Sequence, residues 1–329
     1  MAGNARIVAT WPLTPHAVER LREVAGTIED VSSQNLSKDQ LAKRLESADA
    51  IITFPVAIRL DRELLAHCKN LKVIGTVSVG YDNIDLPTCA ERGIKVGNTP
   101  GVIAPATADI GMALILATMR RIVAGVDFVQ AGKFERGEMA PYGNDLNRKT
   151  LGIFGMGAIG AALAHRARAA GMNILYYNRN RRADIEPAEA EYVSFDELLV
   201  KSDVVAVTAP LTPETRGIFG KDAFAKMKRG AYFVNVARGG LVQTDALYEA
   251  LRSGHLAYAG LDVTDPEPLP LSHPLYTLEN VVVVPHIGTS TPETRDEMLE
   301  LAVSNVIAGL KGEPLPAAVP LPAVGVTAT

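Results

Sequence analysis

The stretch Gly155-Met156-Gly157-Ala158-Ile159-Gly160 constrains the fold of this chain more than any other segment. It stands between a strand-like run, Thr150 to Phe154, and an alanine-rich helical run that ends near Gly171. In such a turn the first glycine permits the tight bend and the second lets backbone approach a pyrophosphate. The third lets the helix pack closely on the sheet, with its N-terminus toward the phosphates. Three spaced glycines alone also make an ordinary strand-to-helix turn; the strand before and the helix after favour a dinucleotide site. All six residues are candidate cofactor contacts. The next strand, Asn173 to Tyr177, runs into Asn178, Arg179, Asn180, Arg181 and Arg182, with no acid to accept from a ribose 2′-hydroxyl. Arginines there suit a 2′-phosphate through charge-assisted, often bidentate hydrogen bonds, although a charge run also serves as a solvated loop. The predicted cofactor is NADP(H), with NAD(H) as the alternative, and Asn178, Arg179, Asn180 and Arg181 are its candidate specificity contacts.

A chain of 329 residues is too long for one compact core and suits two domains. A net charge of −4 offers no basic excess for nucleic acid and no polybasic anchor for anionic lipid, so neither is a predicted partner. The longest apolar run, Ile110 to Met119, is too short to span a bilayer and predicts a buried or interface helix. The chain passes from Met1 into a strand at Arg6 to Thr10 without an export leader. Its two cysteines, Cys68 and Cys89, have no motif spacing and fit free, packed thiols in a reducing compartment. Cytoplasmic location is the expectation.

Up to Asn98, strand runs at Arg6 to Thr10, Ala50 to Phe54, Val73 to Ser78 and Lys95 to Gly97 alternate with helical runs. That alternation predicts a small parallel sheet covered by helices. The segment Asn98 to Pro105 reads as a crossover, followed by a helix from Ile110 to Arg121 and a glycine-punctuated stretch, Gly125 to Gly143. A second alternating series, from the glycine loop to Val281–Val284, predicts a full doubly wound sheet. A final amphipathic helix, Pro292 to Leu310, precedes a proline- and alanine-rich tail from Pro314 that is expected to be loosely ordered. The fold class is therefore α/β: a doubly wound parallel Rossmann sheet inserted in a second, flavodoxin-like α/β domain. The expected division is a substrate domain over 1–99 and 290–329 and a dinucleotide domain over 100–289, with the active site in the cleft between them.

Three strands of the second series end in polar groups. Ala231 to Ala237 leads to Arg238, Ala257 to Val263 leads through Thr264 and Asp265 to Glu267, and Val281 to Val284 leads to His286. Parallel strands present their carboxyl ends on one edge, where ligands bind. Taken singly each residue is as well explained as a loop cation, a turn carboxylate or a strand-end histidine. Together they supply what reduction of a 2-keto acid needs. A guanidinium holds carboxylate and polarises the ketone, an imidazole delivers a proton, and a carboxylate orients and charges the imidazole. Phe54, Pro55 and Val56, after the strand from Ala50, are candidate substrate walls or ordinary core.

Several motifs in order resemble the D-isomer-specific 2-hydroxyacid dehydrogenase family over nearly the whole chain. They are Ser78 to Asp85, the glycine loop, Pro210-Leu211-Thr212-Pro213-Glu214-Thr215, Asn235 to Gly240, Asp265-Pro266-Glu267-Pro268 and Pro285-His286-Ile287-Gly288. The resemblance implies that Arg238, Glu267 and His286 are the catalytic three and that the amides of Val79 and Gly80 hold the substrate carboxylate. It implies further cofactor contacts at Thr107, Ala209, Pro210, Thr215, Val236, Ala237, His286 and Gly288, with Asp262 on the nicotinamide carboxamide. Within the family the chain is most similar to the NADPH-preferring glyoxylate and hydroxypyruvate reductases. It departs where many relatives carry tryptophan, having Phe134, Met139 and Tyr142 instead. A phosphonate dehydrogenase, or a nucleotide-sensing corepressor-like binding protein, remains the alternative. The helix Ile110 to Met119 and the stretch Gly125 to Gly143 match the family's dimer region, so a homodimer is expected.

Overall fold

The computed structural model describes residues 3–55, 58–184 and 190–323, so Val56 lies outside the described residues. The chain forms two compact units, one running up to Ile103 and from Thr291 onward, the other from Ala104 to Ser290.

In the first unit, β1 (Ala5–Ala9), α1 (Pro15–Leu21), β2 (Ala25–Asp30), α2 (Lys38–Leu45), β3 (Ala50–Thr53), α3 (Arg62–His67), β4 (Val73–Thr76), α4 (Leu86–Glu91) and β5 (Lys95–Gly97) alternate. The strands are parallel in the order β2-β1-β3-β4-β5, the flavodoxin-like arrangement. Every residue of β3 and β4 is buried, because helices cover both sheet faces and leave no side for polar alternation. Val8, Ile51 and Ile74 pack under α2, α3 and α4. Ile7, Ile52 and Val73 pack on the other face under α1 and the returning helix, Pro292–Lys311. That helix lies close on the sheet: a Cβ on Gly75 would stand 2.8 Å from the Ala302 carbonyl oxygen.

Two sequence expectations change here. The strand β2 was not foreseen, because as an edge strand it buries only its first residue and shows no apolar run. The tail from Pro314, expected to be loose, docks through its backbone. Ala317 N–H donates to the buried Asn305 side chain at 2.9 Å and Val319 N–H to the Val96 carbonyl at 2.8 Å, with Val319 buried. Residues 324–329 lie outside the described set.

The second unit opens with α5 (Ala104–Met119) and α6 (Ile122–Gln130). It continues with β6 (Thr150–Phe154), α7 (Ala158–Ala169), β7 (Asn173–Tyr177), β8 (Glu191–Tyr192), α8 (Phe195–Lys201), β9 (Val204–Val207) and α9 (Lys221–Lys226). It ends with β10 (Ala231–Asn235), α10 (Thr244–Arg252), β11 (Leu256–Leu261) and β12 (Val281–Val283). The seven parallel strands run β12-β11-β10-β9-β6-β7-β8, the doubly wound order in which direction reverses beside β6. Apolar layers on both faces hold it: Leu151, Ile153 and Val234 under α5 and α7, and Phe154, Val205 and Phe233 under α8, α9 and α10. Phe219 meets Phe154 and Phe233 edge to face at 5.1 and 5.2 Å between ring centres.

The helix α5 begins at Ala104, not Ile110. Pro105 sits in its first turn, where the missing N–H breaks nothing, so the proline that reads as a crossover is part of the helix start. The glycine-punctuated stretch also contains a helix, α6, whose apolar residues Ile122, Val123, Val126 and Val129 are exposed. No helix among the described residues is long and apolar enough to cross a membrane.

Candidate functional site

The glycine loop bends as its sequence predicts, and two of its three glycines are required by the protein's own sterics. Gly155 has φ +106, and a Cβ there would lie 2.5 Å from the Ala209 nitrogen. A Cβ on Gly160 would collide with the Gly155 carbonyl, which itself accepts from the Thr208 hydroxyl at 2.6 Å. Gly157 differs: at the N-cap of α7, its Cβ would meet nothing within 4 Å, and no side chain caps the helix. With no side-chain cap, the first-turn amides of α7 are left for a ligand, and the positive end of the helix dipole lies behind them. This is the cradle a pyrophosphate needs, and its residues fit a dinucleotide. Met156, between the first two glycines, is fully buried in the core.

Beyond β7 the basic cluster divides. Arg182 is held by Asp184 at 2.6 and 2.7 Å and by the Met156 carbonyl at 3.0 Å, which ties the strand end to the glycine loop. Arg179 is exposed, and the Asn178 amide donates to the Asn180 carbonyl at 2.8 Å. The Thr212 hydroxyl, then a backbone hydrogen bond and to a smaller extent the Arg179 charge, hold the Glu214 carboxyl below its usual range. In that turn the Thr215 hydroxyl donates to the Pro210 carbonyl at 2.9 Å. Ala209 and Val236 are buried and Ala237 is half-buried.

Arg238, Glu267 and His286 follow the carboxyl ends of the adjacent strands β10, β11 and β12. His286 Nδ1 lies 2.5 Å from Glu267 Oε1, both side chains about one quarter exposed at 25% and 27%. His286 has φ +53, a left-handed conformation that costs a non-glycine residue about 1–3 kcal/mol and must be imposed by its surroundings. The surroundings include Asp262, 2% exposed, whose carboxylate accepts from Ile287 N–H at 2.7 Å and Gly288 N–H at 2.9 Å. Burial pushes the Asp262 carboxyl above its ordinary value, against the pull of those two amides and of His286. Thr107, buried in α5, donates to the Gly288 carbonyl at 3.3 Å.

The sequence reading missed Asn235. Fully buried, it donates from Nδ2 to the Arg238 carbonyl at 2.9 Å and accepts from Ala237 N–H at 3.0 Å, fixing the turn that carries Arg238. The signal was present, since an asparagine ending an apolar strand just before a turn commonly bonds the backbone two or three residues on.

In the first unit, Asn98 donates to the Val79 carbonyl at 2.8 Å, while among the described residues nothing accepts from the Val79 or Gly80 amide. Phe54 is half-buried, its ring tilted by 35° against Trp11 with centres 4.5 Å apart and the Arg295 guanidinium 4.9 Å from its ring centre; burial lowers Arg295 from its ordinary value. Pro55 is half-buried in the turn that follows.

A doubly wound sheet with an open glycine cradle, and a histidine–carboxylate pair on its carboxyl edge, defines a nicotinamide-dinucleotide-dependent oxidoreductase. Residues 112–288 match the profile of the D-isomer specific 2-hydroxyacid dehydrogenase NAD-binding domain. The chain is 45% identical to a glyoxylate reductase of Thermococcus litoralis over 279 residues, 83% of this chain and 84% of that protein. The crystal structure of a glyoxylate reductase from Paecilomyes thermophila superposes with a TM-score of 0.88 at 36% identity, covering 96% of this chain and 98% of that one. An NADPH-dependent glyoxylate/hydroxypyruvate reductase from Sinorhizobium meliloti, solved with NADP and malonate, gives 0.84 at 28% identity, covering 96% of each chain. The chain belongs to the D-isomer specific 2-hydroxyacid dehydrogenase family.

Proposed function

We propose that this protein reduces a small 2-keto acid of the glyoxylate or hydroxypyruvate type to the D-2-hydroxy acid, with NADPH as the preferred donor. The observation that carries the reading is the contact between His286 Nδ1 and Glu267 Oε1 at 2.5 Å. With Nδ1 committed to the carboxylate, Nε2 is the ring nitrogen that holds the transferable proton, and Glu267 fixes the ring's orientation. When bound, the reduced nicotinamide supplies the hydride. His286 delivers a proton to the carbonyl oxygen as that oxygen becomes an alkoxide, and Arg238 polarises the carbonyl and stabilises the developing charge. Glu267 stabilises the imidazolium until the proton leaves.

In the first unit, the amides of Val79 and Gly80, which have no acceptor among the described residues, suit the substrate carboxylate, and we assign substrate binding to that unit and dinucleotide binding to the other. The residues proposed to hold the 2′-phosphate are Arg179, with Asn178, Asn180 and Arg181 in support. The exposed apolar face of α6 supports a homodimer, and the two buried thiols suit the cytoplasm. Initial rates with glyoxylate, hydroxypyruvate, pyruvate and phenylpyruvate, each with NADPH and NADH, test the reading. Turnover with none of them, or a preference for NADH, contradicts it.

A further inference from the structure

His286 has a positive φ, uncommon for a non-glycine residue, and the amides of its loop converge on Asp262. The His286 N–H is shared between the Asp262 and Val284 backbone carbonyls, each at 3.0 Å, and the next two amides, of Ile287 and Gly288, donate to Asp262 Oδ1 and Oδ2 at 2.7 and 2.9 Å. Three consecutive amides of one loop thus end on a single buried aspartate. Asp262 is itself anchored: it directly follows β11, and its own N–H donates to the Asn235 carbonyl at 2.9 Å. Gly288 leaves the carboxylate just enough room, since a Cβ there would stand 2.8 Å from Asp262 Oδ2.

We propose that Asp262 is a positioning residue for His286: its carboxylate clamps the loop over Ile287 and Gly288 and so aims the imidazole at Glu267. This inference rests on the reading of His286 as the proton donor. It gives the Asp262 carboxylate a task within the protein, separate from any contact with the nicotinamide carboxamide. A carboxylate suits that task because it accepts at both oxygens. An asparagine has one accepting oxygen and one amide group that donates, so one loop amide is left facing another donor.

The test uses the full-length chain carrying Asp262→Asn or Gly288→Ala, with glyoxylate and NADPH as probes. Gly288→Ala disturbs the same clamp by crowding Oδ2 while leaving the charge in place. Four quantities are read: kcat and KM for glyoxylate at saturating NADPH, the Kd of NADPH by calorimetry, and hydrogen exchange of the peptide spanning residues 285–289. For both variants kcat is expected to fall on the order of 100-fold, as misplacement of a reacting group by about 1 Å does. The KM for glyoxylate at saturating NADPH should stay within about threefold of the parent, the pattern of a lost transition-state interaction, whatever the change in NADPH Kd. Exchange over 285–289 should accelerate. If Asp262→Asn does not fold, as judged by its thermal melt, Gly288→Ala decides the question alone. A kcat within about twofold of the parent overturns the proposal, as does a large rise in NADPH Kd with kcat retained at saturation. His286→Ala is measured in parallel. If that variant keeps its turnover, the reading of His286 fails, while unchanged exchange in Asp262→Asn marks failure of the clamp itself.

Discussion

Replacing Gly157 by alanine separates what the glycine loop does for folding from what it does for binding. Gly157 has φ −83, which alanine adopts freely, and its added Cβ meets no atom within 4 Å. The folding penalty is limited to a poorer helix N-cap, about 0.5 kcal/mol. Gly155→Ala is the internal contrast, with φ +106 and a Cβ 2.5 to 2.8 Å from three atoms of Ala209. There a left-handed backbone strain of about 1–3 kcal/mol adds to overpacking of about 1–3 kcal/mol. The sum is a large part of a typical stability of about 5–15 kcal/mol. If a pyrophosphate lies over Gly157, the alanine methyl displaces it and should weaken NADPH binding by about 10- to 100-fold, or about 1.4–2.8 kcal/mol. Urea unfolding and NADPH titration of the parent and both variants measure the two effects separately. Gly157→Ala protein that binds NADPH within about twofold of the parent would refute the pyrophosphate position. Destabilisation as large as that of Gly155→Ala would refute the open space above the loop.

Arg179→Ala should raise the KM for NADPH by roughly 10- to 100-fold and leave NADH little changed, because a 2′-phosphate loses a charge-assisted contact of about 1.5–3 kcal/mol; equal effects on both cofactors would remove Arg179 from the 2′-site. Arg238→Lys should lower kcat/KM severely with NADPH binding intact, since one ammonium cannot reproduce the planar fork, and near-normal kcat/KM would take Arg238 out of the chemistry. Glu267→Gln keeps the shape of the contact with His286 but removes its charge and should cut kcat roughly 100-fold at unchanged NADPH Kd; full activity would sever the pair's joint role. Burial pushes the Cys68 thiol up to about 11 and Cys89 up to about 12, so at pH 8 almost no thiolate is present. Neither should react with a thiol reagent until the protein is unfolded, and rapid labelling of the native protein would contradict their packing.

Much of the fold was legible because the glycine loop, the alternating apolar runs and the strand ends are local signals. The strands Thr150–Phe154 and Asn173–Tyr177 begin and end where the sequence places them, since parallel strands covered on both faces have apolar, buried middles. Arg238, Glu267 and His286 were recognisable as strand-end residues because an open parallel sheet puts every carboxyl end on one edge, whatever the loops do. Other features had no local signature. The edge strand β2 is polar because one of its sides has no neighbour, and the tail at Ala317 to Val319 is ordered by Asn305 and Val96, partners distant in sequence. Pro105 looks like a break until the helix that follows it is seen to need no N–H there.

The site divides in the same way. Sequence alone determined which chemical groups this protein has and on which strand ends they stand, because residue type and period are carried by the chain itself. Only the tertiary structure decided that His286 touches Glu267, that Arg182 turns away to Asp184 and Met156, and that Asn235 and Asp262 lie buried beneath the loops that carry Arg238 and His286. Hydrogen bonds act over about 3 Å, and a partner at that distance can sit 25 residues away along the chain, as Asp262 does from Ile287.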